Sequence, residues 1–158
     1  MSWPIEETYK NLEESFSQLN EDGVIDVMLD AYQRLDEALK PVEERSDFLL
    51  YMLLTEALQL GCAHGRHINP QEKRVADFVA ALFTGTNSRD VVKRTESECR
   101  DLNSLFIVKL AKPLPAICKP FLVFLYSCIY IDGAITQADR DYLSALAPHL
   151  SASWAQNS

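Results

Sequence analysis

Glycine is scarce in this chain, five in 158 residues. So few flexible positions, set among long runs of helix formers, exclude a sandwich or barrel of many short strands and point to an all-α protein. Four cysteines (Cys62, Cys99, Cys118 and Cys128) include no C-x-x-C pair, which argues against a disulfide framework or a zinc ribbon and fits reduced core thiols. The longest nearly apolar run, 121–131, has 11 residues, whereas a bilayer-spanning helix takes about 20. The start, Met1-Ser2-Trp3-Pro4-Ile5-Glu6-Glu7, lacks the basic and apolar regions of a signal peptide, so the expected location is cytoplasmic. There is no Gly-rich phosphate loop and no Ser/His/Asp or Cys/His arrangement with supporting local sequence. Catalysis therefore has no visible carrier, and a non-enzymatic role is expected.

Charge is what the chain has in excess, and it is uneven. Residues 1–60 carry 14 acids against Lys10, Arg34, Lys40 and Arg45, a net of −10, while residues 61–158 carry a net of +2. Binding to nucleic acid needs a basic face to neutralise phosphate, so that class is not expected. An acidic surface suits a basic protein partner or a cation, and Glu6, Glu13, Asp26, Asp30, Asp36 and Glu37 are the candidates to present it.

Hydrophobic spacing predicts about seven helices in one domain, 1–158. An acidic helical pair occupies 1–45, a core 46–147 and a frayed tail 148–158 with an exposed Trp154. The first helix shows Ile5, Tyr9, Leu12, Phe16 and Leu19 at steps of four and three. The second, from about Val24, turns Ile25, Met28, Tyr32, Leu35 and Leu39 inward until Pro41 stops it. The third, capped by Ser46, and the sixth, 115–131, are apolar almost all round and must be covered on several sides. The fourth opens at Asn69-Pro70 and closes at Gly85; the fifth, capped by Ser88, is long, with Val92, Thr95, Cys99, Leu102, Phe106 and Leu110 at heptad-like spacing. The seventh opens at Thr136 with Ala138, Tyr142, Ala145 and Leu146 inward.

One piece of punctuation occurs twice. After each apolar helix a Gly (Gly65, Gly133) is followed by an Ile (Ile68, Ile135), then a cap (Asn69, Thr136), then an acid three positions on (Glu72, Asp139). Helix chemistry accounts for every residue: the glycine ends one helix, the isoleucine staples the turn, and cap and acid form a capping box. The same carboxylates also make a candidate cation site. Asp132, Asp139 and Glu72 offer hard oxygen ligands suited to calcium, magnesium or manganese. His64, standing where the second copy has Asp132, weakens the first copy as an oxygen-ligand site, and zinc is the further candidate cation.

The block Ile131-Asp132-Gly133-Ala134-Ile135-Thr136-Gln137-Ala138-Asp139 resembles the D-G-x-I-x-x-x-E signature of the tellurite-resistance TerB-like domain, found also at the N-terminus of membrane-anchored DnaJ-type co-chaperones. The resemblance covers about 48–147. It implies an all-helical fold with two buried central helices, each followed by such a loop and an amphipathic helix. It also implies a metal at Asp132 and Asp139, with only Glu72 matching in the first copy. In function it implies a non-catalytic bacterial binding module in a stress-response or membrane-proximal assembly, with peripheral membrane association as one form of it. The alternative class is an acidic inhibitor or immunity-type protein that neutralises a basic partner.

Lesser candidates remain. Cys62, His64 and His67 are three zinc-ligand types within six residues, without a fourth at a usual spacing. Glu56, in the nearly all-apolar third helix, is read as facing the solvent edge, with a ligand role towards Asp132 as the alternative. Arg89, Lys93, Arg94 and Arg100 make a basic stripe read as a solvated face.

Overall fold

The computed structural model describes residues 4–63, 67–97, 101–131, 133 and 135–156. His64, Gly65, Cys99, Arg100, Asp132 and Trp3 lie outside the described residues. The fold is all-α, and among the described residues there is no strand. Among the described residues eight α-helices follow one another: α1 (Ile5–Phe16), α2 (Glu21–Ala38), α3 (Ser46–Leu58), α4 (Pro70–Ala81), α5 (Ser88–Glu96), α6 (Phe106–Ala111), α7 (Cys118–Tyr130) and α8 (Gln137–Gln156). None of them is long and apolar enough to cross a membrane.

The apolar all-round helices are the centre, as their composition requires. α7 buries Phe121, Leu122, Phe124, Leu125, Tyr126 and Cys128 and packs against α1, α2, α3 and α8. α3 buries Leu49, Leu50, Leu53, Leu54, Ala57 and Leu58. A single apolar cluster draws side chains from all eight helices, each large one contributing about 1.5–3 kcal/mol by leaving water. Between α1 and α7 the rings of Phe16, Tyr126 and Tyr130 stack, with Phe16 and Tyr130 centroids 5.5 Å apart.

Several local expectations are corrected. α2 starts at Glu21 because the Asn20 side chain accepts from Gly23 N at 2.8 Å, capping the helix four residues ahead of its first core residue, Val24. α3 begins at Ser46 itself, without a side-chain cap. After Leu58 the chain widens into a π-type turn, Gln59–Ala63. α4 closes at Ala81, four residues before Gly85. The cap of α5 is Asn87, whose side chain accepts from Asp90 N, rather than Ser88.

The largest difference is the long fifth helix, which is two. Ser97 leaves α5 in extended backbone and receives the Gln59 amide on its carbonyl at 2.6 Å. Asp101 then turns the chain by accepting from Asn103 N, and α6 starts at Phe106. At the other end α8 continues through Pro148 to Gln156. Residues 149–156 are no frayed tail: Leu150 is fully buried and Trp154 is 8 % exposed. Burial beyond the proline holds the helix together there. The inward stripe of α8 is Leu143, Leu146, Ala147 and Leu150, with Ala138 and Ala145 outside.

Candidate functional site

Both repeated loops end in capping boxes. In the first, Asn69 Oδ1 accepts from Glu72 N at 2.8 Å, and Glu72 Oε1 accepts from Asn69 N at 2.9 Å. In the second, Asp139 Oδ2 accepts from the N–H and the hydroxyl of Thr136, each at 2.9 Å, and Asp139 N donates back to Thr136 Oγ1 at 3.2 Å. Glu72 and Asp139 are buried, 1 % and 6 % exposed, so each carboxylate satisfies orphan N–H groups of its own helix start. Ile68 and Ile135 are half-buried against the core, as staples are. Gly133 turns the chain at φ +136°, backbone that favours glycine.

A distant residue grips the first loop. Glu96 at the end of α5 accepts from Ile68 N at 2.9 Å and meets His67 Nδ1 at 3.3 Å. The Ile68 hydrogen bond first, and His67 second, hold its carboxyl below the ordinary glutamate value. No local pattern marks this contact, because its partner lies 28 positions away.

For the cation reading, the structure thus places Glu72 and Asp139 as caps in equivalent positions. The remaining proposed ligands, His64 and Asp132, lie outside the described residues. Among the described residues no group of three His, Cys, Asp or Glu stands together so as to hold a metal ion.

Two sequence readings change in the core. Glu56 does not face solvent. It is 6 % exposed, and its carboxylate accepts from Phe106 N at 2.8 Å and Ile107 N at 2.9 Å. Desolvation pushes its carboxyl up to about 6, against the lowering effect of those two bonds and of Arg94 and Lys109. Arg94 is not on a solvated stripe either. It is half-buried, donates to Thr55 Oγ1 at 3.1 Å and lies 5.8 Å from the Tyr51 ring centre. A carboxylate beyond the first turn of a nearly all-apolar helix was the available signal for Glu56.

The acidic pair is where the sequence places it. α1 and α2 carry ten acids against Lys10 and Arg34, and none of the ten is buried. Glu6, Asp26, Asp30 and Glu37 are exposed; Glu13 and Asp36 are half-buried. Among the described residues, three of the ten make ion pairs: Glu13 with Arg140 of α8, Glu21 with Arg74 of α4 at 2.8 Å, and Asp30 with Arg34 at 2.7 Å. The first two tie α1 to α8 and α2 to α4. Beside the acidic layer an open groove of about 600 Å³ runs between α2 and the start of α7, with Ala31, Ala38 and Val123 along it and Asp30 and Glu37 among its charged residues. Comparison with protein families, curated proteins and solved structures finds no match to this chain.

Proposed function

We propose that this chain is a non-catalytic, TerB-like binding module whose acidic α1–α2 layer docks a basic protein partner. One observation carries the reading: ten unburied acids stand against two bases on two consecutive helices, and among the described residues three of those acids pair with basic side chains of the same chain. An excess of like charge opposes folding slightly through self-repulsion, and a basic partner relieves it while gaining a steered, fast encounter. The TerB-like part is supported by the two buried helices, α3 and α7, each leading into a loop that ends in a capping box. An acidic face is repelled by anionic lipid headgroups, so a place in a membrane-proximal or stress-response assembly would come through a protein rather than through lipid. The cation belongs to the same proposal, at Asp132 and Asp139 with Glu72 and His64.

Two experiments test this. Capture from a bacterial lysate is made with the natural chain and with a variant carrying Asp26, Asp30, Asp36 and Glu37 changed to Lys. Basic proteins held at low salt, released by added salt and lost by the variant are expected; partners indifferent to both would sink the reading. Metal-stripped protein is titrated calorimetrically with calcium, magnesium, manganese and zinc, and again as Asp132→Asn. Saturable binding lost in the variant is expected, and no binding would leave the loops as caps. The same acidic face suits an inhibitor or immunity-type protein. In that case the captured partner is a toxin or enzyme whose own activity is abolished at one-to-one stoichiometry.

A further inference from the structure

Two contacts join α2 to α4: the Glu21–Arg74 ion pair at 2.8 Å and the Tyr32–Phe78 ring pair, edge-on with centroids 6.0 Å apart. The same helices flank a cavity of about 140 Å³. Ile25, Met28 and Leu29 of α2, Phe78 of α4 and Ile131 at the end of α7 give it apolar walls, and Leu29, 39 % exposed, carries it to the surface. Small-molecule sites take about 300–1,000 Å³, so this space suits one inserted side chain of a protein. An exposed leucine at the mouth of an apolar recess is the form an anchoring pocket takes at interfaces. Charge selects the occupant. Asp22, Asp26 and Asp30 follow at steps of four along α2, and positions 22, 25, 26 and 29 share one helix face. All three acids are exposed, and among the described residues only Asp30 of the row is ion-paired, with Arg34. Arg74, the base among the lining residues, is taken up by Glu21. Steps of four set the acids about 6 Å apart, the interval at which Lys or Arg recur along a partner helix. A second copy presenting the same helices would set acid against acid.

We propose, resting on the reading of α1–α2 as a docking layer for a basic protein, that this cavity is the socket for one aliphatic side chain of a basic amphipathic helix on that partner. Lys or Arg residues of the same helix meet Asp22 and Asp26. The acids and the socket act at different stages. Exposed acids at the rim steer the approach and are screened by salt. The socket holds the helix once it has arrived, because an apolar anchor that leaves water for a recess sets the dissociation rate. Contacts at steps of three and four are how an amphipathic helix engages such a surface. Ile131, the C-cap of α7, leads directly into the second repeated loop, so the anchor sits where that loop begins.

The immobilised full chain is panned against a library of short random peptides displayed on phage, and an enriched peptide is synthesised as the probe. Enriched peptides are expected to be basic, with one recurring Leu, Ile or Met. Bound to the methyl-labelled natural chain, the probe should shift the methyl resonances of Ile25, Met28, Leu29 and Ile131. Leu29→Glu keeps the acidic charge and spoils the socket. It should raise the dissociation rate about tenfold or more and leave the association rate within about twofold. The probe with its anchor changed to Ala should behave the same way. Asp22→Asn with Asp26→Asn keeps the socket and should slow association and flatten its salt dependence. The methyl map of the natural chain decides the matter even where a variant misfolds. Salt-sensitive binding that is lost with the two acids, leaves these methyls unmoved and is indifferent to Leu29→Glu would overturn the socket while the basic-partner reading stands. Neutral or acidic peptides in the cavity would overturn the basic occupant and that reading together. Failure to enrich any peptide would overturn the proposal, as would methyl shifts that follow the chain's own concentration, which mean a second copy in the cavity.

Discussion

Glu56 on α3 caps a helix that is not its own: its carboxylate accepts from the N–H of Phe106, fifty positions later, at 2.8 Å. α6 has no side-chain cap of its own, so two of its orphan donors, Phe106 N and Ile107 N, depend on this one residue. The contact also explains why the chain breaks before Phe106. A helix continued through 97–105 would take Phe106 and Ile107 N–H into its own ladder and leave a buried carboxylate unsatisfied, which costs more than the two lost turns of helix.

The pH dependence of stability follows from this cap. Its folded value, about 6, lies above the ordinary 4.5 because of desolvation, so the folded chain holds the Glu56 proton more tightly than the unfolded one. The contribution is fully present below about pH 4.5 and is lost as pH rises through about 6, a difference of about 2 kcal/mol. Urea unfolding of the natural chain and of Glu56→Gln at pH 4.5 and pH 7.5 gives two differences in stability. The natural chain should lose about 2 kcal/mol more than the variant over that interval. Equal losses would show that Glu56 is not the titrating group.

Gly61→Ala tests the close approach of the π-type turn. In an exposed helix this exchange gains up to about 1 kcal/mol from propensity. Here the new methyl meets Cys128 Cβ at 2.9 Å and a backbone oxygen at 3.1 Å, and α7 at that point is fully buried and cannot retreat. Overpacking wins, at about 1–3 kcal/mol. A midpoint of denaturation equal to or above that of the natural chain would mean that the two backbones are further apart than this.

The fold class, the buried pair α3 and α7, the acidic layer and both capping boxes were legible because each rests on short-range chemistry: apolar composition, helical periodicity, or a cap with an acid three residues on. What escaped rests on contacts between remote residues. The heptad-like series from Val92 to Leu110 reads as one helix until Gln59 reaches Ser97 and Glu56 takes up Phe106 N. Arg94 reads as solvated until Thr55 and Tyr51 appear beneath it. Pro148 reads as a stop because nothing local announces that Leu150 and Trp154 beyond it are buried. The candidate cation ligands were legible as residue types, but the capping geometry that Glu72 and Asp139 adopt serves their own helices.

Thr136→Ala measures the second capping box. The change removes the acceptor for Asp139 N and one of the two donors to the Asp139 carboxylate, and should lower stability by about 1 kcal/mol. Asp139→Ala should cost a similar amount, and the double variant less than the sum, because both remove the same box. Additive effects by thermal unfolding of the set would show that Thr136 and Asp139 act separately, freeing Asp139 for a ligand.

Trp154→Ala tests whether the last turns of α8 belong to the core. Trp154 is 8 % exposed and Leu150 is fully buried, both downstream of a proline that removes one hydrogen bond from the helix. If their burial is what carries the helix past Pro148, truncating the indole should cost about 3–5 kcal/mol, a large share of the roughly 5–15 kcal/mol that holds a domain of this size. Deleting 149–158 should then leave a chain that unfolds near room temperature or aggregates. A deletion variant with unchanged urea midpoint and circular dichroism would return this segment to the status of a tail. Trp154→Phe distinguishes packing from the indole N–H: it keeps most of the buried apolar area, so it should recover more than half of the loss if packing is the cause.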